Sequence, residues 1–183
     1  PLLASIQILF MNLVTDGLPA LSLGLNPSSK DIMEDRPRNK EEILNRVLLK
    51  LLLSTAIFMA SVTLLSYFLA FNVFGQDLET SRTVALLTLI LVEIASAFSF
   101  RSFRKMALNR SPFVNKYLVY ASAISLLCTL VIIYTPANKI FENTPLNITG
   151  WVIALICGSL ILIFNDLVKS INLRKPGYIS STK

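Results

Sequence analysis

The sequence has no histidine, only two cysteines and few charges for its length. The absence of histidine excludes imidazole metal ligands and histidine-based acid–base catalysis. Only 15% of the residues are charged, well below the roughly 25% of ordinary soluble domains. The cysteines, Cys128 and Cys157, lie in different apolar runs, so we interpret them as small buried hydrophobic residues.

What the sequence does have is long apolar runs, which make up most of its 54% of hydrophobic residues. Five of these runs are long enough to cross a bilayer, at about 20 residues per helix. They cover roughly 3–25, 47–72, 83–100, 117–135 and 150–168, and the third is short. The sequence therefore predicts one all-α domain over 1–183, a polytopic transmembrane helix bundle with the lipid bilayer as a partner.

The basic residues are concentrated in alternate connections. The segments 26–46 and 101–116 carry five each and the tail from 169 carries four, whereas the other connections carry only Arg82 and Lys139. Lysine and arginine are enriched in cytoplasmic loops, so we expect the N-terminus outside and the C-terminus in the cytoplasm. The net charge of +6 is then explained by topology, without a nucleic-acid partner. Because the chain begins inside an apolar run, at Pro1, we expect it to be part of a longer protein.

A carboxylate lies in the first apolar run. A carboxylate at that depth costs free energy unless something pairs with it, so intramembrane acids are usually functional. We therefore interpret Asp16 as part of a functional site. Asn12 and Thr15 precede it by four and three residues, which places the three on one face of an α-helix. Pro19 cannot donate to the carbonyl of Thr15, so this carbonyl is also free to bind a ligand. Carboxylate, amide, hydroxyl and carbonyl oxygens are the ligands that a hard cation prefers, so the segment predicts a cation site.

A second acid, Glu93, lies in the third run and would complete a two-carboxylate cluster. Calcium takes six to eight oxygens, so water, unwound backbone or other helices must supply the rest. The alternatives are interhelical hydrogen bonds for Asn12 and Thr15, and a protonated Glu93. Asp166 and Lys169 are expected to form a structural ion pair. Asn147 begins a tripeptide that matches the pattern of a glycosylation acceptor, but so short a pattern often occurs by chance, and we interpret it so here.

The residues 12–20, NLVTDGLPA, followed by 24–27, GLNP, resemble the sixth transmembrane helix of P-type calcium-transporting ATPases. The segment 31–38, DIMEDRPR, resembles the cytoplasmic loop after that helix, with one extra residue and one proline fewer. The remaining spans are similar to helices seven to ten. The resemblance covers the whole chain and is most specific in its first 40 residues.

The resemblance implies roles for individual residues. Asn12, Thr15 and Asp16 match calcium ligands of the sixth helix, and Glu93 matches a glutamate of the eighth. The family hydrolyses ATP, with Mg²⁺, through a phosphorylated aspartate in a segment that this sequence does not contain. The resemblance implies that the partners of this chain are helices one to five and the cytoplasmic domains of the same pump. The loop 26–46 would contact the cytoplasmic domains. By itself the chain would not hydrolyse ATP.

The sequence leaves two other functions open. The ion could be manganese, sodium with potassium, or protons, since manganese shares the oxygen preference of calcium. The chain could also be a stand-alone membrane scaffold or regulatory module, which predicts no upstream coding sequence. We expect an integral, multi-pass protein of a prokaryotic cell membrane because the loops are short, with an internal membrane as the alternative.

Overall fold

The computed structural model describes residues 2–25, 46–101 and 111–173, and within these ranges the regular structure is entirely helical. Five long helices follow one another. They are α1, Ser5–Gly24; α2, Arg46–Phe68, which continues as a π-helical turn, Leu69–Val73; α3, Leu78–Phe100; α4, Lys116–Tyr134; and α5, Ile148–Leu173. Short 3₁₀ turns occupy Pro112–Val114 and Pro136–Lys139.

Each of the five helices is long and apolar enough to cross a membrane, which confirms the predicted helix bundle. The main difference concerns α3, which begins at Leu78 and not at 83. Its extra turn is polar and starts with Asp77, whose carbonyl accepts a hydrogen bond from the Ser81 N–H (N···O 3.0 Å). Glu79 in this first turn is favourable because the N-terminus of a helix carries partial positive charge. Hydropathy alone misses such a turn.

The helix predicted to be short, α3, is the centre of the bundle. Of its most apolar 18-residue stretch, 67% is buried, against 22% to 39% in the other four helices. It packs against all four of them, most extensively against α5 and α2. The outer faces of the other helices carry exposed large apolar side chains, as lipid-facing surfaces do.

Small residues at four-residue spacing allow α3 and α5 to approach closely. Gly150, Ala154 and Gly158 lie on α5, and a Cβ atom on Gly158 would be only 2.8 Å from the Cβ of Leu91 on α3. Small residues let helix backbones come together where lipid gives no hydrophobic driving force. Ala154 is completely buried in this contact region.

Polar side chains connect the helix ends on each side of the bundle. At one end, Gln7 Nε2 of α1 donates to Asn143 Oδ1 in the connection between α4 and α5 (2.8 Å). At the other end, which we call the basic end, Asn115 Nδ2 donates to the Ser22 carbonyl of α1 (2.9 Å). Lys169 Nζ, fully buried on α5, donates to the Ser99 carbonyl of α3 (2.5 Å). Both ends of the bundle are thus closed by hydrogen bonds between segments distant in sequence.

The assignment of the basic end to the cytoplasm stays a prediction. The loop 26–46 lies outside the described residues except for Arg46, and so do 102–110 and the tail from 174.

Candidate cation site between α1 and α3

A π-helical segment, Met11–Asp16, interrupts α1. Its hydrogen bonds reach five residues back, so it has more residues per turn than an α-helix, and such segments are frequent at functional sites. In such a segment, residues four positions apart stay on the same face of the helix, but residues three positions apart lie on different faces. Accordingly Asn12 and Asp16 are exposed, whereas Thr15 is fully buried. The expectation that all three share one face rested on α-helical spacing, which this segment does not have.

Thr15 faces α3 and contacts the second candidate acid. Its Oγ1 lies 3.0 Å from Oε2 of Glu93, which is half-buried on α3. The same Oγ1 lies 3.0 Å from the Met11 carbonyl, one turn back in α1. Because a hydroxyl has one hydrogen, it cannot donate fully to both oxygens at once. The Thr15 oxygen is therefore placed where a competing group could take over one of the two bonds.

The two mid-span acids flank the same interhelical contact. Asp16 follows Thr15 directly in α1, and the Thr15 hydroxyl contacts Glu93 across the α1–α3 interface. Like charges in a medium of low dielectric repel strongly, and a cation between them removes that repulsion. Asp16 is exposed in the described part of the chain, and an acid facing hydrocarbon would cost several kcal/mol by order of magnitude. The geometry thus calls for something of opposite charge or a polar covering at the Asp16 side.

The described residues bring together the hydroxyl of Thr15 and the carboxylate of Glu93, whereas the amide of Asn12 and the carboxylate of Asp16 are exposed on the same segment of α1. No group of three His, Cys, Asp or Glu side chains that could hold a metal occurs within residues 2–25, 46–101 and 111–173. The donor types suit a hard cation such as calcium, and their number is smaller than the six to eight oxygens it takes. Part of the coordination must therefore come from water or from other segments.

One polar residue near this site does not stand out in the sequence, and that is Ser125 on α4. It is fully buried, and its Oγ donates to the carbonyl of Val14 in α1 (3.1 Å). A serine in an apolar run, spaced at intervals of three to four from Ser122 and Thr129, gives only a weak signal of a polar helix face.

The other polar candidates lie elsewhere. Lys169 and Asp166 are both buried on α5 at the basic end, away from the α1–α3 contact. Asn147 Oδ1 accepts from the backbone N–H of Gly150 (2.9 Å) at the start of α5, which gives this side chain a structural role. Cys157 is buried in the core and Cys128 is half-buried, as expected of small hydrophobic residues.

Comparison with known proteins identifies the family. The family described as cation transporting ATPase, C-terminus, matches residues 1–171. The chain is 34% identical to a calcium-transporting ATPase of Bacillus subtilis over 155 residues, which cover 84% of this chain and 17% of that protein.

Relatives from other organisms give the same result. The chain is 29% identical to calcium-transporting ATPase 1 of Bacillus cereus, with 91% of this chain and 21% of that protein covered. It is 31% identical to calcium-transporting ATPase type 2C member 2 of the rat, with 91% and 18% covered. The chain thus spans about a fifth of the length of these relatives. The chain has five membrane-type helices and matches the carboxy-terminal transmembrane region of cation-transporting ATPases. It therefore belongs to the P-type cation-transporting ATPases, a family of integral, multi-pass membrane proteins.

Proposed function

We propose that the chain is the membrane part of an ATP-driven calcium pump and carries part of its calcium site. Asn12, Thr15, Asp16 and Glu93 supply the ligands from this chain, and earlier helices of the same pump supply the rest. The observation that carries the proposal is the contact between Thr15 and Glu93, because it joins the two helices that bear the mid-span acids.

The donor chemistry supports calcium as the transported ion. The four side chains offer only oxygen, which calcium prefers, and two carboxylates balance a double positive charge. The relatives are named as calcium-transporting ATPases. Manganese has similar preferences, so stimulation of ATP hydrolysis in the full-length protein should be measured across calcium, manganese, sodium with potassium, and protons.

In the proposed mechanism, cytoplasmic calcium binds between α1 and α3 and the adjoining helices of the pump. Phosphorylation in the upstream domains, which hold ATP and Mg²⁺, then moves these helices so that the site opens outward. The segment 26–46 is the proposed mechanical link because it follows directly after α1, the helix that carries three of the proposed ligands. The chain itself contributes ion ligands and this link, and the upstream domains hydrolyse ATP.

The short loops favour a prokaryotic cell membrane, and the Bacillus relatives are consistent with it. The rat relative shows that the family also occurs in eukaryotes.

The test of the proposal is Asp16→Asn in the full-length protein, which keeps the side-chain shape and removes the charge. We expect the variant to lose calcium-dependent phosphorylation by ATP. The matched control is Asp77→Asn, since Asp77 is an exposed acid outside the α1–α3 interface, and this variant should keep it. Normal calcium dependence in Asp16→Asn would overturn the assignment of the site.

A further inference from the structure

A hydrogen bond between α4 and α1 lies directly beside the candidate cation site. Ser125 Oγ donates to the carbonyl of Val14, and the O···O distance is 3.1 Å. Val14 immediately precedes Thr15 and lies inside the π-helical segment. The two residues are 111 positions apart in the chain, and Ser125 is fully buried. The bond therefore fixes the backbone of the site from a helix that carries no proposed ligand.

Pro19 removes a backbone donor at the end of the π-helical segment. In π-helical spacing its nitrogen would serve the Val14 carbonyl, and in α-helical spacing it would serve the Thr15 carbonyl. Proline has no N–H and can serve neither. A missing backbone hydrogen bond is costly in a membrane interior, where no bulk water replaces it. Ser125 supplies a side-chain donor to the Val14 carbonyl from the neighbouring helix.

Other bonds on α4 hold Ser125 and α1 in place. Asn115 Nδ2 donates to the Ser22 carbonyl, about two turns further along α1. The carbonyl of Ser125 in turn accepts from Thr129 Oγ1 (2.7 Å). Asn115, which caps α4, and Ser125 on α4 thus bind two backbone carbonyls of α1, one near the basic end of the bundle and one at the site.

We propose that Ser125 is a positioning residue of the cation site: by binding the Val14 carbonyl it holds the π-helical segment in the register that presents Thr15 and Asp16. This inference rests on the proposed function, because it assigns Ser125 a role in cation affinity and not only in packing. Loss of the Ser125 hydroxyl lets the segment relax toward other backbone hydrogen bonds. The ligand oxygens then shift, and small displacements of positioned groups have large effects.

The chain offers a matched control for Ser125. Ser122 lies three residues earlier on α4 and is also buried, but its Oγ has no hydrogen-bond partner among the residues that the structure describes. Ser122→Ala therefore removes the same atom from the same helix without removing a bond to α1.

The experiment measures, in the full-length protein, the calcium concentration for half-maximal phosphorylation by ATP, together with the midpoint of thermal unfolding. Ser125→Ala should raise this concentration about fivefold to tenfold while saturating calcium restores phosphorylation. Ser122→Ala should stay within about twofold of the unsubstituted protein. Ser125→Cys, which keeps a weaker donor of similar size, should fall between them and serves as the readout if Ser125→Ala does not fold.

The inference is overturned if the calcium concentration for half-maximal phosphorylation is unchanged in Ser125→Ala, or in Ser125→Cys where only that variant folds. If the unfolding midpoint falls while this concentration stays the same, the role of Ser125 is merely structural. Asp16→Asn in the same assay separates the two proposals. If Asp16→Asn loses calcium-dependent phosphorylation while Ser125→Ala keeps the half-maximal calcium concentration of the unsubstituted protein, the role of Ser125 fails and the proposed function stands. Normal calcium dependence in Asp16→Asn removes both.

Discussion

Thr15 and Glu93 are separated by 78 residues, and their side-chain oxygens lie 3.0 Å apart at the interface of α1 and α3. The contact connects a fully buried hydroxyl on a π-helical segment with a half-buried carboxylate on the central helix of the bundle. Any rearrangement of α1 against α3 must change this distance. The pair is therefore suited to couple helix movement to the oxygens offered to a cation.

The first prediction concerns this pair. Thr15→Val removes the hydroxyl with little change of shape, and we expect it to raise the calcium concentration for half-maximal phosphorylation about tenfold. Thr15→Ser keeps the hydroxyl and should stay close to the unsubstituted protein. In a double-mutant cycle with Glu93→Gln, the coupling free energy should be about 0.5–3 kcal/mol, as for groups in direct contact.

Thr63→Val on α2 is the matched control. Thr63 Oγ1 donates to the Met59 carbonyl (2.9 Å), the same bond to the preceding turn that Thr15 makes with Met11. If Thr63→Val and Thr15→Val shift the calcium dependence equally, the contact with Glu93 has no special role.

The residue types predicted the fold class, which the structure confirms, and singled out the candidate site residues, whereas the geometry around these residues needed the tertiary structure. Asp16 and Glu93 stand out in the sequence because acids are rare in apolar runs. The π-helical register of 11–16 does not stand out, because the residue types of this segment do not distinguish a π-helical turn from an α-helical one. The central position of α3 was missed for a related reason, since hydropathy measures apolar content and not burial.

The second prediction tests the close contact of α3 and α5. Gly158→Ala places a Cβ atom 2.8 Å from the Cβ of Leu91, an atom attached directly to the backbone, so the helices must move apart. We expect a loss of about 1–2 kcal/mol in the free energy of unfolding, measured by thermal denaturation in detergent, because overpacking outweighs the gain in helix propensity.

Gly24→Ala is the control for that substitution, because nothing lies within 4 Å of a Cβ atom on Gly24. It should change the free energy of unfolding by less than about 0.5 kcal/mol. Equal losses in the two variants would mean that Gly158 does not mark a close helix contact.

The third prediction concerns the end of the bundle opposite the basic end. Gln7 is 1% exposed, its Oε1 accepts from the Ala4 N–H (2.8 Å), and its Nε2 donates to Asn143 Oδ1 (2.8 Å). Gln7→Ala leaves these buried groups without partners and should destabilise the protein by about 1–3 kcal/mol in thermal unfolding. Asn72→Ala, which removes an exposed amide, should have little effect, and a comparable loss there would contradict this assignment.

The fourth prediction concerns orientation, which follows from the distribution of basic residues. Lys139 and Ser111 are exposed and belong to connections at opposite ends of the bundle, since α4 separates them. In intact cells or right-side-out vesicles, a membrane-impermeant maleimide should label Lys139→Cys directly and Ser111→Cys only after permeabilisation. The unsubstituted protein gives the background, to which Cys128 and Cys157 contribute little because they lie within α4 and α5. The reverse labelling pattern would place the basic end outside. The segment 26–46, which follows α1 at the basic end, would then have no access to a cytoplasmic catalytic domain, and the proposed mechanical link would be wrong.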